Sequence, residues 1–172
     1  ASPLLRAAPE ERSDTLPRMS RFEEIVKQHA PLIRRIARSY EANTARADEL
    51  VQEIHLALWQ ALPRFRGDAS VRTFIARIAH NRAISHVARE AREPRAVALD
   101  DNLHAADASP EERTAQQDLR AKLEAAVQQL PVSLKVAASL ALEGFSPEEV
   151  AEVLGIGVSA ASVRLHRAKE QL

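Results

Sequence analysis

The chain has 172 residues, and its 24 Lys and Arg residues balance 24 Asp and Glu residues to a formal net charge of zero. This length suits one or two small domains with about two modest cores. Hydrophobic residues make up 45% of the chain and charged residues 28%, which is typical of globular proteins and excludes wholesale disorder. Because the chain has no cysteine, disulfides, thiolate metal ligands and a thiol nucleophile are also excluded.

The sequence shows neither a membrane span nor an export signal. No apolar run approaches the roughly 20 residues that a transmembrane helix requires, and residues 1–19 lack the apolar core of a signal peptide. We therefore expect a soluble cytoplasmic protein without direct membrane insertion. A net charge of zero by itself argues against a nucleic-acid partner, so the distribution of charge along the chain has to be considered.

The pattern of apolar residues predicts an all-α protein. Glycine occurs four times, alternating patterns are absent, and apolar residues recur with helical periodicity. Residues 1–19 contain three prolines and no sustained apolar face, which predicts a flexible N-terminal tail. The first amphipathic helix is predicted from Arg21 to Tyr40.

Two further helices complete the predicted N-terminal domain, residues 20–93. Asn43 and Thr44 offer an N-cap for the second helix, which Pro63 ends. A loop at 63–70 closes with Ser70, the predicted cap of the third helix. The side chains predicted to face inward on the third helix are Val71, Phe74, Ile75, Ile78, Ala79, Ala83 and Val87.

Residues 94–110 differ in composition from the helices predicted before them, because they combine aspartates and alanines and show little helical periodicity. This composition predicts an acidic, flexible linker that allows large reorientation of the domains it joins. Residues 109–112 have the sequence of a capping box with proline at the first helical position. They predict a helix that ends near Gln129 and opens a C-terminal domain, residues 111–172.

Three more helices are predicted in the C-terminal domain. One follows Pro131 and ends at Gly144, and a second begins with another capping box at residues 146–149. This short helix, the glycine-containing turn at 155–158 and a last helix capped by Ser159 form a helix-turn-helix. Small and basic residues on the last helix are typical of a helix that enters the DNA major groove, although a plain helical hairpin is the alternative.

Charge is separated along the chain. Six arginines and one aspartate lie between Arg64 and Arg89, a local net charge of +5, whereas residues 96–118 carry six acids and one arginine, a local net charge of −5. Arginines interleaved with Phe65 and Phe74 suit an unwound DNA strand, because cations bind phosphates and aromatic rings stack on bases. The alternative is a solvated arginine-rich face with both phenylalanines in the core.

The predicted second helix carries an acidic ridge, defined here as Asp48, Glu49, Gln52 and Glu53. Side chains four residues apart share a helix face, so this ridge points away from the apolar stripe. It suits a basic partner, or it is the solvated side of the helix. A metal-dependent hydrolase using Asp48, Glu49, Glu53 and His55 is a further alternative, but no HExxH-type spacing is present and we identify no catalytic constellation, metal site or cofactor.

Two segments resemble regions of bacterial RNA polymerase sigma factors. Residues 48–92 (DELVQEIHLALWQALPRFRGDASVRTFIARIAHNRAISHVAREAR) resemble region 2, and residues 130–172 (LPVSLKVAASLALEGFSPEEVAEVLGIGVSAASVRLHRAKEQL) resemble region 4. Their order, the lack of a region 3 and the total size resemble the extracytoplasmic-function group of the sigma-70 family. The chain departs from the family pattern at Phe74, often tryptophan, at Ser85, often aspartate, and at Ser162, often lysine.

The resemblance implies three binding surfaces. The apolar side of 119–142 would lie on the β flap of core RNA polymerase, and the residues implied in docking on its β′ coiled coil are Asp48, Glu49, Leu50, Gln52 and Glu53. The residues implied in capturing and melting the −10 promoter element are Arg64, Phe65, Arg66, Arg72, Phe74, Arg77, Asn81 and Arg82. The residues implied in reading the −35 element are Ser159, Ala160, Ser162, Val163, Arg164, His166, Arg167 and Lys169.

The function implied by the resemblance is that of an alternative sigma factor, a non-enzymatic subunit that recruits core RNA polymerase to promoter DNA. By the same resemblance we expect an anti-sigma factor that occludes these surfaces and can hold the protein at the inner membrane. Control by phosphorylation of the chain itself is an alternative. The leading rival function is a DNA-binding regulator that uses the helix-turn-helix without polymerase, in which the acidic ridge is inert surface.

Overall fold

A computed structural model describes residues 18–92 and 114–172 and confirms the all-α fold class. Within these ranges the chain forms seven α-helices and no strands. The N-terminal unit, residues 18–92, contains the helices α1 (Arg18–Tyr40), α2 (Thr44–Ala61) and α3 (Val71–Glu90). The C-terminal unit, residues 114–172, contains the helices α4 (Ala115–Gln128), α5 (Val132–Leu142), α6 (Pro147–Leu154) and α7 (Val158–Gln171).

The N-terminal unit packs its three helices around an apolar centre. The side chains that are almost fully buried there are Ile33, Ile36, Leu50, Ile54, Leu58 and Ile75. Their spacing of three or four residues within α1 and α2 is the period of one helix face. On α3 the structure differs from the prediction, because Val87 is 40% exposed and His86 is buried instead.

Local hydrogen bonds begin α2 and α3 where the sequence predicts. The side chain of Asn43 accepts a hydrogen bond from the backbone of Arg46 at 3.1 Å, and Ser70 accepts one from the backbone of Thr73 at 3.1 Å. Helix α2 runs into a 3₁₀ turn at Leu62–Arg64, so Pro63 ends it as predicted. Residues 18 and 19 are already helical, so the predicted tail 1–19 is too long by two residues, and residues 1–17 lie outside the described residues.

The observed starts of the C-terminal helices agree less well with the predicted starts. The capping box before α6 is confirmed, with Ser146 and Glu149 exchanging hydrogen bonds of 2.8 and 3.2 Å. Helix α7 begins after Gly157, so the prediction that Ser159 caps it is wrong. Helix α4 has a capping box at Thr114, whereas the predicted box at 109–112 and the predicted linker at 94–110 lie outside the described residues.

No helix in the described ranges is long and apolar enough to cross a membrane. The two units pack against each other, α1 on α5 and α3 on α6. One continuous cluster of buried apolar side chains includes Ile36 and Ile75 from the N-terminal unit and Leu140 and Val150 from the C-terminal unit. The two predicted domains are therefore in direct contact, and their surfaces have to be considered together. A second, smaller cluster belongs to the C-terminal unit alone and consists of Val127, Leu130, Leu134, Ala138 and Ala168.

Candidate polymerase- and DNA-binding surfaces

Most of the acidic ridge is exposed. Asp48, Glu49 and Gln52 point outward from α2, as the helical spacing predicts. Leu50 lies between them in the sequence, but its side chain is fully buried in the core. The expectation that Leu50 contacts a partner is therefore wrong for this structure; its packing instead fixes the helix that presents the exposed residues.

Glu53 also differs from the expectation of a free acidic side chain. Arg82 donates a hydrogen bond to its carboxylate at 3.0 Å, Arg89 donates another, and Nδ1 of the buried His86 lies 3.3 Å away. Burial raises the pKa of Glu53, but the hydrogen bonds and positive charges of these neighbours outweigh burial and lower the pKa overall. Glu53 therefore joins α2 to α3, and the exposed ridge reduces to three residues.

An open cavity of about 660 Å³ lies between the start of α1, the end of α2 and the middle of α3. Three of the predicted −10 residues, Arg64, Asn81 and Arg82, line it. Apolar atoms of Ile78 and Ala61 form part of the same wall. A cavity lined by both arginines and apolar side chains can bind a phosphate and a flat base at the same time.

The same cavity contains two residues that the sequence analysis did not select, Arg18 and Gln60. The guanidinium of Arg18 lies 4.4 Å from the ring centroid of Trp59 and donates a hydrogen bond to the Trp59 carbonyl at 3.2 Å. These contacts bring the first turn of α1 against the last turn of α2. A pair 41 positions apart in the chain has no local sequence pattern by which it could be found.

The two phenylalanines of the basic stretch pack on each other. The ring centroids of Phe65 and Phe74 are 4.6 Å apart, and Phe74 is only 9% exposed. Phe65 is partly buried against the same core cluster. The interpretation that both rings belong to the core is therefore supported for Phe74, while Phe65 keeps an accessible side.

Two of the predicted −10 arginines contact the C-terminal unit. Arg72 donates hydrogen bonds to the backbone carbonyls of Glu143 at 3.0 Å and Gly144 at 3.3 Å, and to the Glu149 carboxylate at 3.4 Å. Arg77 lies 3.7 Å from the carboxylate of Glu152 on α6. Arg66, by contrast, is exposed on the loop before α3.

The helix-turn-helix is formed by α6 and α7. The turn contains Gly155 in the left-handed conformation at φ +64°, which glycine adopts without the strain of a side chain. Ala161 and Ala168 turn inward, and their small size lets α7 pack closely on the unit. The predicted −35 residues that are exposed on the outer side of α7 are Ser159, Ala160, Ser162, Val163, His166, Arg167 and Lys169.

Arg164 is the exception among the predicted −35 residues, because it is half-buried and lies near the N-terminal unit. There the hydroxyl of Tyr40 hydrogen-bonds to Nδ1 of His80. Burial and then the Arg164 charge lower the pKa of His80, whereas burial raises that of Tyr40 against the opposing effect of Arg164. The Arg164 charge is therefore close enough to influence both side chains.

The metal-dependent alternative has little support in the described part of the chain. Among residues 18–92 and 114–172, no group of three or more His, Asp or Glu side chains is arranged to hold a metal ion. Burial, and then the charge of Arg34, lower the pKa of His55. The Glu53 carboxylate, which that alternative requires, is already bound by Arg82 and Arg89.

Comparison with known families gives two matches in the order that the sequence suggests. Residues 25–93 match sigma-70 region 2, and residues 120–172 match sigma-70 region 4. The chain is 31% identical over 140 residues to the RNA polymerase sigma-H factor of Pseudomonas aeruginosa, covering 73% of this chain and 70% of that protein. It is 30% identical over 157 residues to the ECF RNA polymerase sigma factor SigE of Mycolicibacterium smegmatis, covering 90% of this chain but 61% of that longer relative.

Solved structures share the fold. The sigma factor RpoE in complex with the anti-sigma factor NepR from Bartonella quintana has a TM-score of 0.67 at 20% identity, covering 88% of this chain and 94% of that one. CnrH in complex with the cytosolic domain of CnrY has a TM-score of 0.60 at 24% identity, covering 89% and 85%. The ECF RNA polymerase sigma-E factor of Escherichia coli is 30% identical over 134 residues, covering 72% of this chain and 70% of that protein. Because both regions match in order and this relative is covered over most of its length, the chain belongs to the extracytoplasmic-function group of the sigma-70 family of RNA polymerase sigma factors.

Proposed function

We propose that this chain is an alternative sigma factor that binds core RNA polymerase in the cytoplasm and directs transcription from a specific set of promoters. The observation that carries the proposal is a region 2 match followed by a region 4 match in one chain. A regulator that binds DNA alone needs only the helix-turn-helix, and it leaves the region 2 match without a role. The chain itself catalyses no reaction in this proposal, because RNA synthesis belongs to the polymerase.

Polymerase docking is assigned to the exposed part of the acidic ridge and to the C-terminal unit. Asp48, Glu49 and Gln52 offer carboxylates and an amide on one side of α2 to a basic partner, the β′ coiled coil. The β flap is assigned to α4 and α5. Exposed apolar side chains on these helices, Leu119, Val132 and Leu142, supply surface for such a contact.

Capture of the −10 element is assigned to the cavity lined by Arg64, Asn81 and Arg82 and to the loop before α3. Melting a duplex costs a few kcal/mol for each unstacked base, so the separated strand has to gain contacts in return. Arginines supply phosphate contacts, and the accessible side of Phe65 supplies a stacking surface. Phe74 supports Phe65 from inside the core and is not assigned a DNA contact.

Recognition of the −35 element is assigned to the outer side of α7. Small side chains at its start, such as Ser159 and Ala160, allow the helix to approach the floor of the major groove closely. Arg167 and Lys169 can then reach base edges or phosphates. Arg164, which is half-buried in this structure, is assigned to the same surface.

Control by an anti-sigma factor is part of the proposal. The RpoE structure with the same fold is a complex with the anti-sigma factor NepR, and CnrH is bound to the cytosolic domain of CnrY. We extend this mode of control to the present chain, with a partner that covers the polymerase- and DNA-binding surfaces. A membrane-attached partner of this kind would hold the protein at the inner membrane.

The proposal is tested with purified core RNA polymerase. The full chain is expected to bind the polymerase and to support run-off transcription from discrete promoters in fragmented genomic DNA. Failure of both would reject the sigma-factor proposal, and specific promoter binding without polymerase would favour the rival regulator instead.

A charge-reversal pair locates the docking surface. Glu49→Lys is expected to weaken polymerase binding by about tenfold or more, because it replaces attraction by repulsion at the contact. Glu23→Lys, which makes the same change at an exposed position on α1, is the matched control and should bind normally. Equal affinity of both variants would show that the docking surface lies elsewhere.

A further inference from the structure

We propose that Arg18, at the start of α1, is a phosphate-binding residue of the −10 surface, and that Trp59 is the positioning residue that holds its guanidinium at the cavity. This inference rests on the proposed function and deepens it, because it adds α1 to the helices that contact DNA. Arg18 lies outside the basic stretch between Arg64 and Arg89 and outside the sigma-70 region 2 match at 25–93. Neither the charge pattern nor the family match therefore selects it.

Arg18 is one of three arginines that line the cavity, and each comes from a different element. Arg64 lies on the 3₁₀ turn after α2, and Arg82 lies on α3. The wall that α2 provides is uncharged, because it consists of Ala57, Gln60 and Ala61. Among the described residues, α1 lines the cavity through Arg18. A strand in this cavity therefore meets positive charge from α1 at this one side chain.

Two contacts with Trp59 fix the guanidinium of Arg18. This group lies 4.4 Å from the centroid of the indole ring and donates a hydrogen bond of 3.2 Å to the Trp59 carbonyl. The ring of Phe22, one turn later on α1, packs edge-on against the same indole ring, with the two centroids 5.2 Å apart. Because these contacts already restrict the Arg18 side chain, it loses less conformational freedom when it binds a phosphate.

The contacts of Arg18 leave its positive charge uncompensated. Within residues 18–92 and 114–172, its partners are the ring and the carbonyl of Trp59, and neither carries a net charge. Arg82, by contrast, forms an ion pair with Glu53 at 3.0 Å. A guanidinium has five N–H donors, so Arg18 retains donors for phosphate oxygens beside the hydrogen bond to Trp59. Its charge is therefore more available to DNA than that of Arg82.

The position of Arg18 within α1 is unfavourable for the stability of the helix. Arg18 is the first residue of α1, and the first turn contains no acidic residue. The N-terminus of a helix carries partial positive charge, so it is stabilised by acidic side chains and destabilised by a cation. Residues that break such a local rule are expected where a binding site requires them. A cation at this terminus therefore agrees with a role in binding an anion.

A matched pair of variants tests Arg18. Arg18→Gln removes the charge but keeps an amide donor for the Trp59 carbonyl, and Arg38→Gln makes the same change at an exposed arginine in the last turn of α1. Holoenzyme, formed from the full chain and saturating core polymerase, is titrated with the fluorescein-labelled non-template strand of a promoter found in the run-off test. Fluorescence anisotropy measures the affinity at several salt concentrations.

Arg18→Gln is expected to weaken binding about 3- to 10-fold at about 0.1 M salt. The slope of log affinity against log salt should fall by about 0.7, which corresponds to one phosphate contact on a single strand. Arg38→Gln should match the wild type. Unchanged affinity and slope for Arg18→Gln, or an equal loss in both variants, would overturn the proposal.

Conservative variants separate charge from position. Arg18→Lys keeps the charge and should retain the wild-type salt slope, although its affinity should fall because an ammonium group lacks the planar face that stacks on the indole. Trp59→Leu should weaken binding about 3-fold, and Trp59→Phe, which keeps a ring, should restore most of the affinity. A slope for Arg18→Lys as low as that of Arg18→Gln would contradict the role of the charge. Unchanged affinity of Trp59→Leu would contradict the positioning role.

Neutral linkages in the DNA identify the phosphate. Methylphosphonate replaces one charged phosphate at a time, and wild-type holoenzyme should lose about 3- to 10-fold in affinity at one or two adjacent linkages. Arg18→Gln should show no further loss there, because the partner of that phosphate is already absent. Equal losses in wild type and variant at every linkage would overturn the proposal. A wild-type chain that neither binds polymerase nor supports transcription would instead reject the proposed function itself.

Discussion

The two proposed DNA surfaces differ in what their cations already contact. On the N-terminal unit, Arg72, Arg77 and Arg82 each lie against a glutamate of the chain itself. On α7, Arg167 and Lys169 are exposed, and the described part of the chain holds no ion pair for them. A basic stretch of sequence therefore does not reveal how many of its charges are available, and the predictions below test this difference.

The largest effect on stability is expected at Phe74. Replacing this residue distinguishes a ring that packs in the core from a ring that contacts DNA. Phe74→Ala should reduce the free energy of unfolding by about 3–5 kcal/mol, because it leaves a cavity beside Phe65. Urea denaturation measures this change. Val163→Ala, at a 48% exposed position on α7, is the control and should stay within about 0.5 kcal/mol. A stable Phe74→Ala protein that cannot melt promoters would place the ring on the DNA surface instead.

Glu53 is expected to have the next largest effect, because its carboxylate holds Arg82 and Arg89. Glu53→Gln should cost about 1–3 kcal/mol in the free energy of unfolding, since the partner groups lose a charged acceptor. Glu49→Gln, on the exposed ridge, should change stability little.

The pH dependence of this effect has a defined sign. The pKa of Glu53 is lowered from 4.5, so its contribution is complete above about that pH and declines as pH falls further. The stability difference between wild type and Glu53→Gln should therefore shrink in acid. A difference that grows below pH 4.5 would contradict the pairing described for Glu53.

Arg167 tests the surface whose cations are exposed. Arg167→Ala should weaken binding to a −35 duplex about tenfold and reduce the salt dependence by about one phosphate contact. Unfolding should be unchanged. Arg120→Ala, an exposed arginine on α4, is the matched control, and equal loss of DNA affinity in both variants would argue against a specific role for α7.

The smallest effect is expected where the two surfaces meet, at His80. The Tyr40 hydroxyl from α1 hydrogen-bonds to this side chain, and burial, followed by the charge of Arg164 from α7, lowers its pKa below the usual 6.5. The unfolded chain therefore binds the proton more readily, and stability should fall as pH drops below about 6.5.

Urea denaturation on either side of that pH measures the effect of His80. Because the pKa values of His29 and His55 are also lowered, His80→Gln should remove part of the dependence and leave the rest. If the free energy of unfolding of His80→Gln depends on pH as strongly as that of the wild type, protonation of His80 does not contribute to this dependence.

Local features of the fold could be predicted because their causes are local. The caps at Asn43, Ser70 and Ser146 depend on side chains within three residues of the helix start, and the structure confirms all three. Helix periodicity likewise identified the inward faces of α1 and α2. The same reasoning predicts Ser159 as a cap, but the helix is capped two residues earlier, at Gly157.

Features that depend on distant partners could not be predicted. Glu53 has the same local pattern as Glu49, and only the arginines that α3 brings to it make the two residues different. The contact between the units likewise depends on Arg72 and on small residues such as Ser39, which have no characteristic sequence pattern. The roles assigned to the exposed residues of α2 and α7 remain predictions until polymerase and promoter binding are measured.

The buried pair of serines, Ser39 on α1 and Ser139 on α5, offers a simple route by which related chains could diverge. One additional methyl group at Ser39 or Ser139 would press on a facing helix across a hydroxyl contact of 3.0 Å. Such a change would weaken the packing of α1 against α5 while leaving every residue assigned to DNA or polymerase untouched. Side-chain volume at one helix crossing therefore sets the strength of the contact between the units independently of the residues on their binding surfaces.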